Sequence, residues 1–424
     1  MTSAPTSGRV AVIGAGLVGL CTALTLQRAG HAVTVIDPRG LRRAASLGNA
    51  GCVNGSSIVP VAMPGVLRNV PGWLLDREGP LVLRWSYLPR MIPWLLHFIA
   101  ASRPDRVQAQ ARALRALLGP ALQAYRPLLQ ASGAADLLVE RGYTIAYSSE
   151  AGWQGDAAGM RLRAENGVRI EELDARQMRE RLPTLSERFV RGRYIGETGH
   201  FRDPGEVLRR FGEHFVANGG RFVEQEAREI VLCDALATGV RTSLGVEAAD
   251  AVVICAGAWS AELARQLGDK VRLDTERGYH VELAGQEALL DAPVMWAEGK
   301  LFVTPMAGRL RAAGTVELAG LRAPPNWRRA ELLLGQIKRM FPALDQSLTL
   351  DRPGLAKWQG FRPSMPDSLP VIDRATHARN VLYGFGHGHV GLTGAATTAR
   401  LLTELVEARP ASIDLTAFAV RRFR

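Results

Sequence analysis

Hydrophobic and polar positions open the chain in a strand–turn–helix–strand rhythm. Arg9-Val-Ala-Val-Ile-Gly14 is a short β-branched run that predicts a buried parallel strand. Leu20 to Ala29 is made of good helix formers and is stopped by Gly30. His31-Ala-Val-Thr-Val-Ile-Asp37 predicts a second strand that ends on an acid. The turn between strand and helix reads Gly14-Ala15-Gly16-Leu17-Val18-Gly19, with Asp37 lying 18 residues beyond Gly19. In this arrangement Gly14 permits a tight turn, Gly16 admits a pyrophosphate to the backbone, and Gly19 lets helix and strand pack closely. Unpaired N–H groups at the helix start attract the phosphates, and Asp37 can accept hydrogen bonds from ribose hydroxyls. An ordinary glycine-rich turn explains the glycines but not the acid at the end of the next strand. Arg39, Arg42 and Arg43 would suit a 2′-phosphate, which Asp37 would repel, so NADP is disfavoured.

Further along, Pro38 to Cys52 is small and polar, as suits a loop against a ligand, with Arg39, Ser46, Asn49, Ala50 and Gly51 within it. Pro71 to Ser102 is rich in Trp and Leu but broken by prolines and charges, which is too interrupted to span a bilayer. Packing under a lid is one reading of it; a surface for a membrane or partner is the other. Asp105 to Ala131 predicts helix, with breaks at Pro120 and Pro127. Tyr143 to Ser148 and Val168 to Leu173 predict strands, and Asp174-x-x-Gln177 predicts a capping box. A helix from Asp203-Pro204 to Asn218-Gly-Gly220 precedes three or four meandering strands up to Val246. Ala251-Val-Val-Ile-Cys255-Ala256-Gly257-Ala-Trp259-Ser260 repeats the theme of a buried strand entering a glycine turn. Short strands follow from Val271 to Leu318, then a helix from Trp327 to Met340. The closing strand Val381–Phe385 leads through Gly386-His387-Gly388-His389-Val-Gly391 into a helix that buries Leu392, Ala395, Ala396, Ala399, Leu402, Leu405 and Val406.

Length and composition narrow the picture. A chain of 424 residues is long for one core, and 47% hydrophobic with 22% charged residues describes a globular protein. The net charge of +11 comes from 48 Arg and 4 Lys. No basic run is interleaved with aromatics, which argues against nucleic acid, while attraction to acidic lipid stays open. Cys21, Cys52, Cys233 and Cys255 have neither CxxC nor metal-ligand spacing, so no metal site is expected and the thiols suit a reducing compartment. The first residues lack a signal-peptide pattern, and the glycines of Val10–Gln27 mark it as a false membrane span. A cytoplasmic protein, with the inner face of the cell membrane as a peripheral contact, is the expectation.

Three separated blocks can then be read together: Gly14-Ala15-Gly16-Leu17-Val18-Gly19; Cys255-Ala256-Gly257-Ala-Trp259-Ser260; and Gly360-Phe-Arg362-Pro363…Pro366-Asp367…Pro370-Val-Ile-Asp373 with Gly384-Phe-Gly386-His387-Gly388…Gly391-Leu392-Thr393-Gly394. Their order resembles the flavin-dependent D-amino-acid oxidase family, and most of all its bacterial D-amino-acid dehydrogenases, through Ser46…Asn49-Ala50-Gly51, Arg277-Gly-Tyr279 and Gly386-His-Gly388. The likeness runs from Arg9 to about Ala408. It implies an α/β fold in which a Rossmann-like FAD-binding domain is joined to an α+β substrate domain built on a mixed antiparallel sheet. Residues 1–75, 190–265 and 355–424 would form the first domain, 76–189 and 266–354 the second. The cofactor would be FAD, with the last helix aimed at the flavin's pyrimidine edge. The family often has Glu where Asp37 stands. Without a His or Cys suited to covalent attachment beyond Cys52, non-covalent FAD is expected.

The chemistry implied is oxidative deamination of a D-amino acid, with hydride passing from Cα to flavin N5 and electrons then leaving to a quinone or other carrier. It needs a clamped carboxylate and a neutral amine. Arg362 is the expected clamp, because guanidinium grips carboxylate with two parallel bonds; its alternative is a structural pair with Asp367 or Asp373. Tyr279 is a second expected donor, and His387 a third catalytic candidate, with His280 and His389 as polar walls. An oxidase of glycine, sarcosine or a D-proline derivative, a non-catalytic flavin subunit and a nicotinamide dehydrogenase are the competing classes.

Overall fold

The computed structural model describes residues 7–42, 44–65 and 81–423, with positions 72, 76 and 79. The amino-terminal rhythm folds as its pattern predicts. Arg9–Ile13 and Ala32–Ile36 are parallel neighbours joined by the helix Leu17–Arg28. They sit in a six-stranded sheet ordered Arg221–Val223, Ala32–Ile36, Arg9–Ile13, Ala251–Ile254, Val381–Phe385, Val371–Arg374. All its pairs are parallel except the last. The chain leaves Arg9–Ile13 towards one side of the sheet and returns on the other with Ala251–Ile254. That reversal opens a crevice at the carboxyl ends of these strands, where such sheets bind ligands.

The last helix, Gly391–Val406, lies against the first, and so much of it is enclosed that its threonines 393, 397, 398 and 403 are buried with its alanines and leucines. Leu405 and Val406, expected in the core, are only partly buried at its end. A three-stranded meander, Glu229–Cys233, Leu236–Arg241 and Val246–Ala248, packs on the opposite face.

Among the described residues, nine strands build the second sheet. Its order is Leu355–Ser364, Asp274–Ala284, Arg309–Leu318, Leu301–Met306, Val294–Trp296, Tyr143–Tyr147, Arg191–Ile195, Glu171–Leu173, with Leu81–Leu83 added in parallel to Val316–Leu318. Apart from that pair and Val294–Trp296 with Tyr143–Tyr147, the pairing is antiparallel. The helix Arg328–Met340 buries Leu333, Leu334 and Ile337 with strand residues in this domain's core. Arg191–Ile195 and Leu355–Ser364 hydrogen-bond into this sheet, although the sequence placed them with the nucleotide domain.

Local expectations met mixed outcomes. The capping box Asp174/Gln177 is formed in both directions. Pro120 separates the helices Pro104–Leu118 and Ala121–Ala131, but Pro127 lies inside the second and does not break it. One lost N–H bond is outweighed there by burial of Tyr125, Leu128 and Leu129. Only Glu171–Leu173 of the stretch Val168–Leu173 is strand. Of the Trp- and Leu-rich segment, Pro71, Trp73 to Leu75, Arg77, Glu78 and Pro80 fall outside the described residues; from Leu81 on it forms Leu81–Leu83, a turn at Trp85–Tyr87, and the helix Leu88–Ala101. Among the described residues no helix is long and apolar enough to cross a membrane.

Strand and helix meet most closely at Gly19, where an added Cβ would lie 1.9 Å from the Gly14 carbonyl oxygen. Gly19→Ala is therefore expected to destabilise the protein by about 1–3 kcal/mol, the usual result of forcing atoms into a packed interior. Chemical denaturation against the wild type checks this, and unchanged stability would show that the helix can move away freely.

Candidate active site

One large cavity, about 1590 Å³, opens at the sheet's reversal and continues beneath the second sheet. Its inner wall starts with Gly14, Gly16, Leu17 and Val18. Gly14 has φ +108, and a Cβ there would lie 2.4 Å from the Cys255 carbonyl oxygen, so no other residue fits the turn. The helix behind it begins without a side-chain cap from Gly16 and without acidic residues in its first turn, which leaves a positive helix end at the cavity. Ser46 Oγ accepts from the Leu17 N–H at 3.1 Å and ties the following loop to this helix start. Asp37 lines the cavity, and its carboxylate accepts from the backbone N–H groups of Ala15 and Arg39, both at 2.9 Å.

Pro38, Arg39, Ser46, Asn49, Ala50, Cys255, Ala256, Gly257, Trp259, Gly388, Gly391, Leu392 and Thr393 are also on the wall. Ala15, Gly19, Gly51 and Gly386 are not; they shape the backbone behind it. Gly51 has φ +82 and presses on Met306 and the Phe201 carbonyl, and Gly386 has φ +85 and presses on Met365. Arg42 is drawn off to Glu224, and Arg43 lies outside the described residues. The last helix likewise starts without a side-chain cap or an acidic first turn, at residues that face the cavity. Thr393 Oγ1 donates to the Cys52 carbonyl and accepts from the Asn54 N–H, fixing that start against the Cys52 loop. Two positive helix ends, an acid at the second strand's tip and a long cleft between them fit a flavin dinucleotide.

Beneath the second sheet the strand alternation assigns sides. Glu276 stands directly opposite Arg362 in the register of Asp274–Ala284 with Leu355–Ser364, and both line the cavity with Gly278. The Arg362 guanidinium lies so close to Gly278 that a Cβ there would come within 2.4 Å of Cζ. Its Nη1 donates to the Thr315 carbonyl at 2.9 Å and its Nη2 to the Gly314 carbonyl at 3.4 Å. Those carbonyls converge because the strand Arg309–Leu318 carries a bulge there, with Thr315 at φ +58. Asp367 is taken by Arg422, and Asp373 accepts from the Arg374 and Val420 N–H groups. The alternative pairing of Arg362 with either acid is thus excluded.

Tyr279 requires a correction. It sits one strand period from Arg277, in the core beneath the helix Arg328–Met340. Its hydroxyl donates to Glu317 Oε2 and accepts from the Asn326 N–H, so no donor remains for a ligand. Arg277 likewise holds the carbonyls of Gly320, Ala323 and Pro324. Tyr279 still borders the cavity, but its hydroxyl, like the Arg277 guanidinium, is spent on neighbouring protein groups. His387 lines the cavity with Nε2 bonded to Thr398 Oγ1 at 2.9 Å, and His389 reaches the wall beside it. His280 is turned to the Gly48 carbonyl and stacked on Trp358. Glu276 and the Gly314–Thr315 carbonyls went unnoticed in the sequence; counting back two residues from Gly278 along the strand would have found Glu276.

Such a cavity, with nucleotide-binding turns at one end and a charged pocket at the other, defines an FAD-dependent oxidoreductase. The family model described as FAD dependent oxidoreductase (DAO) matches residues 9–405, and the chain belongs to that family. It is 42% identical over 422 residues to a D-amino-acid oxidase of Bradyrhizobium diazoefficiens, covering 99% of this chain and 100% of that one. A D-amino acid dehydrogenase of Paramagnetospirillum magneticum is 31% identical over 98% of this chain and 99% of its own. Among solved structures, glycine oxidase from Geobacillus kaustophilus superposes with a TM-score of 0.74 at 22% identity, covering 98% of this chain and 99% of that one.

Of the histidines with almost no exposed surface, burial depresses three to about 4: His387, His280 beside Arg311, and His200 near Arg202. Unfolding restores an ordinary value near 6.5, so the unfolded chain binds protons first as pH falls. The stability these residues permit is complete above about pH 6.5 and is lost as pH falls towards 4, by about 1.4 kcal/mol per pH unit for each. Denaturation at pH 7.5, 6 and 5 should show this slope, reduced by one group in His387→Gln; an identical slope in that variant refutes the assignment for His387.

Proposed function

We propose that this enzyme oxidises D-amino acids to 2-oxo acids and ammonia, with Arg362 clamping the substrate carboxylate. The reaction class is FAD-dependent oxidative deamination of amino or imino acids. FAD, when bound, supplies the two-electron acceptor; the chain supplies binding, orientation and exclusion of water. The observation that carries the reading is Arg362 itself. It is a guanidinium on the cavity wall, held by two carbonyls, with no carboxylate among the described residues at ion-pair distance. Two of its five N–H donors are used by those carbonyls, and the others remain for a planar anion. Leu83, Trp94, Phe98 and Leu318 form apolar wall around the pocket, which strengthens that grip by keeping water out.

FAD is held without a covalent bond in this reading. Cys52 is the thiol nearest the expected attachment loop, and burial pushes it up to about 12, which suppresses the nucleophilic thiolate. Acid precipitation should release the yellow chromophore into the supernatant; a yellow pellet refutes this.

Arg362→Met should lower kcat/KM for D-amino acids by more than about 30-fold, the loss typical when one member of a buried charge pair is truncated. Arg362→Lys should restore part of it. Normal turnover by Arg362→Met in a panel of D- and L-amino acids with a dye acceptor would place the carboxylate elsewhere.

Electrons leave, in the same proposal, to a quinone-type carrier at the cytoplasmic face of a membrane. What supports this is the helix Leu88–Ala101, whose Met91, Trp94 and Phe98 are buried while Ile92, Leu96 and Ile99 face outward with Trp85. Trp85, Leu88 and Ile99 also line the cavity, and Arg84 and Arg90 are exposed alongside, an arrangement suited to anionic lipid. The 42% identical relative named as an oxidase favours a second reading, with O₂ as acceptor. Ile92→Glu with Leu96→Glu should reduce sedimentation with anionic vesicles and spare dye reduction. Hydrogen peroxide formed in air as fast as dye is reduced would decide for O₂.

A further inference from the structure

We propose that Glu276 is the receptor for the substrate's ammonium group and takes the proton that must leave before the Cα–H bond can be broken. This rests on the reading of Arg362 as the carboxylate clamp. Glu276 is 7% exposed, lines the cavity and stands opposite Arg362 on the neighbouring strand. The two are direct partners across paired strands and share the cavity wall, yet they form no ion pair among the described residues. A cation and an acid facing one enclosed space without touching is a costly arrangement for a protein on its own. It becomes favourable when a zwitterion lies between them, carboxylate on Arg362 and ammonium on Glu276.

The carboxyl group of Glu276 is prepared for that task. Ser364 Oγ donates to Oε1 at 2.6 Å, leaving Oε2 without a protein partner among the described residues. Ser364 is fixed in turn, because Trp94 Nε1 donates to its carbonyl at 3.2 Å. The helix Leu88–Ala101, which walls the pocket, therefore also sets the acid. Arg362 and Glu276 would define two of the three directions about Cα, which is what orienting a chiral centre requires. In the proton step an N–H bond of the ammonium breaks and an O–H bond forms at Oε2, with no change in electron count. The amine left behind carries the free lone pair from which the C–N double bond is made.

The test uses two ligands that cannot be oxidised, because neither has a Cα–H. 2-Aminoisobutyrate is a zwitterion; pivalate has the same shape with methyl in place of ammonium. Calorimetric titration of the FAD-loaded wild type near neutral pH should show 2-aminoisobutyrate binding at least about 10-fold more tightly, as one charge-assisted hydrogen bond allows. Glu276→Gln keeps the size and the contact with Ser364, and should abolish that preference while pivalate still binds. Equal wild-type affinities, or a preference that survives in Glu276→Gln, overturn the proposal. Should the Gln variant lose its FAD, Glu276→Asp draws the same charge back by one methylene. It should weaken the amino ligand alone, and equal weakening of both ligands overturns the assignment. A wild type that distinguishes the two ligands yet turns over no amino acid would instead sink the proposed function and leave the ammonium site standing.

Discussion

At the carboxyl end of Arg9–Ile13 three stretches of backbone approach closer than any side chain would allow. A Cβ on Gly14 would meet the Cys255 carbonyl oxygen at 2.4 Å, and one on Gly19 would meet the Gly14 carbonyl oxygen at 1.9 Å. That contact fixes where the first helix begins and how it leans on the sheet. The last helix packs against the first, so its starting end at Gly391 is set by the same constraint. Thr393 then pins the loop through Cys52 and Asn54, and Ser46 pins the earlier part of that loop to Leu17. Both positive helix ends and the loop between them are thus registered from one close packing event. Exchange of glycine for a larger residue there would disturb the whole cradle.

The pocket depends on a different rule, the two-residue alternation of a strand. Along Asp274–Ala284, Glu276 and Gly278 face the cavity, while Arg277 turns to the Gly320–Pro324 carbonyls and Tyr279, which still borders the cavity, spends its hydroxyl on Glu317 and Asn326. Arg362 inherits its side from its pairing with Glu276. The bulge at Thr315 adds what a regular strand could not, two carbonyls turned towards the guanidinium. Strain at φ +58 is retained where it shapes the site, which is where such conformations concentrate. These buried groups form a second network, with Arg277 and Tyr279 holding Gly320 to Asn326 in place.

Two kinds of information separate cleanly here. Local pattern on the chain determined the strand–turn–helix–strand opening, the Asp174/Gln177 capping box, the helix after Asp203 and the closing strand and helix. Each depends on contacts within a few residues, and the three glycine-rich blocks together with their order carried the cofactor. Sequence also singled out Arg362, next to Pro363, as the expected clamp, and the strand Leu355–Ser364 bears it. What it left open was every feature set by a partner distant along the chain. The side on which Tyr279 falls depends on the face of its strand that the Arg328–Met340 helix covers. Whether Arg362 pairs with Asp367 depends on Arg422, 55 residues further on from that acid, reaching it first. The joining of Arg191–Ile195 and Leu355–Ser364 to the second sheet follows from hydrogen bonds to strands they do not adjoin in sequence. Periodicity reports which positions share a face; only the packed structure decides what that face meets, because burial energy is gained between elements rather than within them.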